Sequence, residues 1–245
     1  DRIDLLHGWT EMGQGIHTVA RQMLCEVLDL DNSVEIDVQC STGAEARGGV
    51  TTASRGTVLL GNSIIAAAQK LKADLAGRSL ADLVGKEYFA RFVVDWTTDH
   101  HVKGKIVSHF SYGYATHLAV LDKDGKLQAI HAAHDGGKII NPVLYEGQIE
   151  GGVVMGIGYA LSEKLPLKDG RLTSERMSKL GLLKAKDVPQ IKSICVECAD
   201  PMGPFGAKGV GEIGTIPTAA AIANAYCRFD GQRRYCLPLS PLKKE

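Results

Sequence analysis

The placement of glycine narrows the possible folds most. There are 28 glycines in 245 residues without any collagen period, and they gather beside helix-forming patterns. Such residues serve turns and close backbone approaches, so the chain must carry many special backbone positions at the ends of its elements. The cleanest helical pattern follows the first cluster: Ile16, Val19, Ala20, Met23, Leu24, Val27 and Leu28 recur at helical spacing. A second helix is predicted through Ile64, Ala67, Ala68, Leu71 and Leu75, starting between Ala53 and Asn62 and ending before Gly77. Asn141-Pro142 supplies a cap followed by proline at the first helical position, opening a helix toward Leu161. The five glycines of that segment weaken it as a helix but allow very close packing. Thr215-Ile216-Pro217 starts a last helix running to about Arg228.

Strands are predicted from the first residues (Asp1-Arg2-Ile3-Asp4), at Ala90–Trp96, Val107–Leu121, Leu127–Ala132 and Ile191–Val196, with a hairpin turn at Asp122–Lys126. The order of parts recurs: strand, Gly-Gln segment, strand, glycine-rich turn and helix, first through Gln14 and Ser54, then through Gln148 and Glu212. This favours an α+β chain with mixed sheets and packed helices, in two related units of about 1–105 and 106–245.

Charge excludes several functions. Lys plus Arg equals Asp plus Glu, 28 against 28, which gives no electrostatic case for nucleic acid or an anionic membrane surface. No apolar run approaches the roughly 18–20 residues of a membrane span. Six scattered cysteines in a chain of this size point to a reducing, cytoplasmic setting. Opening on Asp1 rather than Met, the chain is expected to be a piece of something longer.

Four motifs carry chemistry. GWTEMGQG at 8–15 surrounds Gln14 with Gly13 and Gly15, where backbone can approach a flat or anionic ligand while the amide both donates and accepts; a plain helix-entry turn has the same look. TTASRG at 51–56 places Thr52, Ala53 and Ser54 before the second helix, as a phosphate or pterin cradle or as mere caps. EGQIEGG at 146–152 carries Gln148. GAKGVGE at 206–212 contains the spacing G-x-G-x-x-G through Gly209, Gly211 and Gly214. A dinucleotide fingerprint is disfavoured there. The strand and helix are too far apart, no second parallel strand follows, and Glu212 would set a carboxylate against a pyrophosphate. Glu212 instead stands where a general base could. Cys195 and Cys198, three apart in a strand, face opposite sides and read as two buried or half-buried thiols. His131 and His134 fail as a metal pair for the same reason, and His100, His101, His109 and His117 form no ligand pattern.

In this order the four motifs, with HDGGKIINP at 134–142 and TIPTAAAIANA at 215–225, resemble the C-terminal part of the molybdenum-binding subunit of the xanthine dehydrogenase and aldehyde oxidase family, over essentially the whole chain. The resemblance implies a two-lobed α+β fold with internal repeats, the C-terminal lobe of a molybdopterin-binding domain. It implies a molybdenum-molybdopterin cofactor, bare or as a dinucleotide, with no metal ligands from the protein. Gly13, Gln14, Gly15, Thr52, Ala53, Ser54, Gln148, Gly209 and Gly211 would line its site, and Glu212 would be the catalytic base. The reaction implied is hydroxylation of a small-molecule substrate, a purine, N-heterocycle or aldehyde. Iron–sulfur clusters and FAD are expected on other domains or subunits, and the remaining lobe of the molybdenum subunit and a second copy as partners. The alternative is a non-catalytic scaffold that keeps the fold without cofactor. Trp9 departs from the family's usual glycine, which would alter the loop before Gln14.

Overall fold

The computed structural model describes residues 2–31, 33–43, 46–98, 101 and 103–242, so that Asp1 and His100 lie outside the described residues. The chain divides into two compact units. Residues 1–112, 136–144 and 197–209 make the first, and 113–135, 145–196 and 210–245 the second.

The first unit opens with strand β1 (Arg2–His7), helix α1 (Ile16–Leu28), strand β2 (Glu35–Cys40) and helix α2 (Gly56–Asp74). β1 and β2 are parallel, Arg2 opposite Glu35 and His7 opposite Cys40, with α1 as the crossover. The stripe read from the sequence is the one buried: Ile16, Ala20, Met23, Leu24 and Leu28 of α1 meet Leu60, Ile64, Ala68 and Leu71 of α2 in one core that also holds Trp9. Segment 197–209 completes this packing. Pro204 and Met23 both crowd Gly61, where a methyl would come 2.5 Å from the proline ring and 2.7 Å from the Met23 sulfur. Asn62 Nδ2 donates to Met202 O at 2.9 Å.

The second unit is built on strands β3 (Ala115–Leu121) and β4 (Leu127–Asp135), then helix α3 (Pro142–Leu161), whose first three residues belong to the first unit's chain. A small hairpin, β5 (Leu167–Lys168) and β6 (Arg171–Leu172), strand β7 (Gln190–Val196) and helix α4 (Thr218–Asp230) follow. The sheet order is β3-β4-β7, with β3 antiparallel and β7 parallel to β4. The β3–β4 turn is fixed by Asp122, whose Oδ1 accepts the N–H groups of Asp124 and Lys126, both at 2.9 Å. Asn141 caps α3 as expected, its Oδ1 accepting the Leu144 N–H at 3.0 Å. The glycine face of α3 does the close packing: a methyl on Gly152 would sit 2.9 Å from the Gly214 backbone, and one on Gly156 would run into Thr218.

The fold is α+β with mixed sheets, but two strand expectations fail. Ala90–Trp96 forms no strand: its side chains alternate between half-buried and exposed as in extended chain and the Phe92 N–H goes to Ser63 Oγ at 3.2 Å, but among the described residues no neighbouring strand pairs with it. Val107–Leu121 is strand only from Ala115, because β4 ends at Asp135 and offers no partner further back. The cysteine expectation also fails, since Cys195 and Cys198 are both exposed and Cys198 lies beyond the end of β7. Among the described residues no helix is long and apolar enough to cross a membrane, and no three His, Cys, Asp or Glu side chains could share a metal ion.

Candidate functional site

The loop before α1 is organised by its own side chains. Gly13 and Gly15 take positive φ of 103° and 84°, the left-handed region that glycine enters freely. Glu11 then reaches over the helix start: Oε1 accepts the N–H groups of Gly13 (2.8 Å) and Gly15 (3.0 Å), and Oε2 that of His17 (3.1 Å). Burial works to raise the Glu11 carboxyl, but these bonds outweigh it and hold the group below its ordinary range. Gln14 uses its amide on the same loop, Oε1 accepting from Met12 N–H at 2.7 Å and Nε2 donating to Thr10 O at 2.8 Å. The structure thus assigns Gln14 the job of shaping the loop, and leaves one more lone pair and one more N–H on its amide for a ligand.

Beneath the loop lie two histidines that the sequence did not single out. His7 Nδ1 accepts the Trp9 N–H at 3.1 Å, and the rings of His7 and His17 meet edge to face at 4.9 Å. The Nε2 atoms of both are buried without a hydrogen-bond partner. Burial, then the neighbouring His17, pulls the His7 pKa down to about 4. Trp9 is a core residue, 4% exposed, and the Arg55 guanidinium lies 5.5 Å over its ring.

The second loop touches the first. Thr51 Oγ1 accepts the Thr10 N–H at 3.0 Å. Ala53 and Ser54 are both left-handed, with φ of 57° and 50°, a conformation that costs a non-glycine residue about 1–2 kcal/mol each. The N-cap position of α2 falls on Arg55, whose side chain makes no cap hydrogen bond. Gly209 lies directly against the backbone of Ser54, where a Cβ would occupy the place of the Ser54 carbonyl oxygen. Ala53 and Ser54, with Gly209 packed behind Ser54, thus make a left-handed turn just before the N-terminus of the 19-residue α2, while the Thr52 N–H is turned back on Val50 O at 3.1 Å. Successive main-chain N–H groups in such a turn, with the helix dipole behind them, suit a phosphate.

Gln148, Gly211 and Glu212 belong to the second unit. Glu212 is exposed in a turn whose shape is set by its own carbonyl, which accepts the Thr215 N–H at 3.1 Å. The turn is seated on α3: a methyl at Gly214 would lie 2.9 Å from Ile149 O and 3.2 Å from Gly152 Cα. Gln148 lies on the same helix, one residue before Ile149.

The chain is similar to known proteins in sequence and in fold. A family model described as a molybdopterin cofactor-binding domain matches residues 1–189. A probable xanthine dehydrogenase subunit from Bacillus subtilis is 29% identical over 260 residues, covering 91% of this chain and 34% of the relative. A putative xanthine dehydrogenase molybdenum-binding subunit of Escherichia coli is 41% identical over 110 residues, 44% of this chain and 15% of that protein. The solved aldehyde oxidoreductase of Desulfovibrio gigas superposes with a TM-score of 0.84 at 26% identity, over 95% of this chain and 27% of its own. The chain thus spans about a third or less of the length of these relatives.

Proposed function

The chain belongs to the molybdopterin cofactor-binding domain family, and on that premise we propose that it is the part of a molybdenum hydroxylase that holds the pterin cofactor and supplies the general base. The observation that carries this reading is the left-handed turn of Ala53 and Ser54 backed by Gly209. Two adjacent left-handed non-glycine residues persist only where their surroundings demand them, and such strain collects at ligand clamps.

The residues fit an anionic, amide-rich group. The Ser54 turn offers main-chain donors to its phosphate, the Gly13–Gly15 loop lets backbone approach the ring, and the remaining donor and acceptor of Gln14 match pterin edges. Bound, the molybdenum pterin supplies the redox chemistry, accepting the electron pair released when a substrate C–H bond is replaced by C–O. Glu212 removes the proton from the attacking oxygen, with the Thr215 N–H holding its backbone. Iron–sulfur and flavin groups, carried on other domains or subunits, would take the electrons onward. The substrate is a purine, another N-heterocycle or an aldehyde, and the working protein is a cytoplasmic dimer that includes the rest of the molybdenum subunit.

Glu212→Gln in the full-length enzyme tests the assignment, because glutamine keeps the shape and removes the basicity. Molybdenum content and KM should hold while kcat falls by roughly 10²-fold to 10⁴-fold, the loss typical of a positioned base. A fully loaded variant with near-normal kcat would sink it.

A further inference from the structure

Thr218, His117 and His134 have no part in the chemistry proposed above, yet they form a continuous hydrogen-bonded chain that ends two residues from Glu212. Thr218 opens α4 and is fully buried, His134 on β4 is fully buried, and His117 on β3 sits diagonally across the hairpin from it. Thr218 Oγ1 lies 3.1 Å from Gly214 O and 3.1 Å from His117 Nδ1. The two Nε2 atoms, of His117 and His134, are 2.6 Å apart. His134 Nδ1, at the far end, is buried with no partner.

Counting protons orders this chain. A carbonyl can only accept, so the single Thr218 hydroxyl hydrogen goes to Gly214 O and the proton between Thr218 and His117 must sit on His117 Nδ1. His117 Nε2 is then a lone pair, which requires the proton on His134 Nε2 and leaves His134 Nδ1 as a lone pair. The opposite order would strand an N–H donor at His134 Nδ1 and deprive Gly214 O of its hydroxyl. Buried orphan donors are rarer in folded proteins than under-used acceptors, which selects the first order. Both rings are neutral in it, as burial and the mutual approach of the pair dictate: the His117 pKa falls to about 4 and that of His134 is lowered too.

We propose that Thr218 and His117 are positioning residues for Glu212, a proton-ordered chain from His134 through His117 and Thr218 that fixes the Gly214 carbonyl and hence the turn bearing the base. The role rests on the reading of Glu212 as that base. Gly214 has no side chain to hold it, so its place depends on backbone contact with Ile149 and Gly152 on one side and on the Thr218 hydroxyl on the other. Loss of the hydroxyl frees the carbonyl to rotate, and displacement of a catalytic group by about 1 Å costs up to about 10²-fold in rate.

The test uses the full-length enzyme with kinetics normalised to molybdenum. Thr218→Val keeps the shape without the hydroxyl, and kcat should fall at least about tenfold with KM and molybdenum content held. Thr218→Ser should restore it. Imidazole ¹⁵N shifts of histidine-labelled protein should show His117 protonated on Nδ1 and His134 on Nε2 at neutral pH. Normal kcat in Thr218→Val, beside a Glu212→Gln enzyme that has lost its turnover, would overturn the positioning role, as would the opposite tautomers. A purely packing role would lower melting temperature in both Thr218 variants with kcat per molybdenum unchanged, and would overturn it equally. If Glu212→Gln keeps its kcat, the base assignment itself fails and the positioning role goes with it, whatever the tautomers show.

Discussion

At the level of single residues, motif order singles out Gln14 and Glu212 as candidates, whereas His7, His117 and Thr218 carry no such signal. The reason is physical: His117 and His134 become neighbours only through the register of β3 on β4, and nothing in one strand's sequence states which residue of the next lies diagonally across. What the sequence could not give for Gln14 is the use of its amide on Met12 and Thr10, which makes it the former of the loop as well as a candidate ligand. The buried histidines have a measurable consequence. His7, faced by His17 and Glu11, and His117, faced by His134 and Thr218, have folded pKa values near 4 against about 6.5 unfolded. The unfolded chain therefore binds more protons between those values. Stability is fully present above pH 6.5 and is lost as pH falls toward 4, by up to about 1.4 kcal/mol per pH unit for each ring. Denaturant melts of the chain at pH 7 and pH 5 check this, and His117→Phe should flatten part of the slope. Equal stability at the two pH values would contradict the neutral state of these rings.

At the scale of elements, helices were easier to read than strands, and the two failures show why. α1 and α3 announce themselves locally, by a stripe of apolar residues in one and a cap plus proline in the other. A strand exists only if another strand accepts it, so Ala90–Trp96 has the alternation without the ladder. The glycines of α3 divide the same way, because helical propensity alone cannot say which of them face a neighbour. Gly152 and Gly156 meet the Gly214–Thr218 segment, while Gly147 and Gly151 have open space where a methyl would go. Gly147→Ala should then stabilise the chain by about 0.5–1 kcal/mol through helix propensity. Gly156→Ala should destabilise it by about 1–3 kcal/mol through overpacking against Thr218. Thermal melts of the two variants read the signs directly, and a stabilising Gly156→Ala would show that α3 does not pack as described.

For the whole molecule, order along the chain and membership of a unit differ in a way that bears on where it can be cut. Residues 1–112 contain β1, α1, β2, α2 and the loops before both helices, and the order of parts read from the sequence makes about 1–105 of them one unit. Yet the first unit takes back 136–144 and 197–209. Those returns are not ornamental. Pro204 is packed on Gly61, Asn62 donates to Met202 O, and Ser111 Oγ donates to Asp200 at 2.6 Å. Gly209 backs the left-handed Ser54, and Asn141 Nδ2 donates to Gln22 at 3.0 Å. Removing them uncovers Gly61 and the Met23 side chain beside it, whose burial is worth about 1.5–3 kcal/mol, breaks these hydrogen bonds, and leaves the strain at Ala53 and Ser54 unsupported. Losses of that size approach the whole stability of a small domain, about 5–15 kcal/mol. A 1–112 fragment should therefore show no cooperative thermal transition and should be cleaved rapidly by protease within 46–56, while the 245-residue chain melts cooperatively and resists cleavage there. A fragment that melts as sharply and as high as the whole chain would mean that 197–209 contributes nothing to the first unit, and the cradle would then have to be stable without Gly209 behind it.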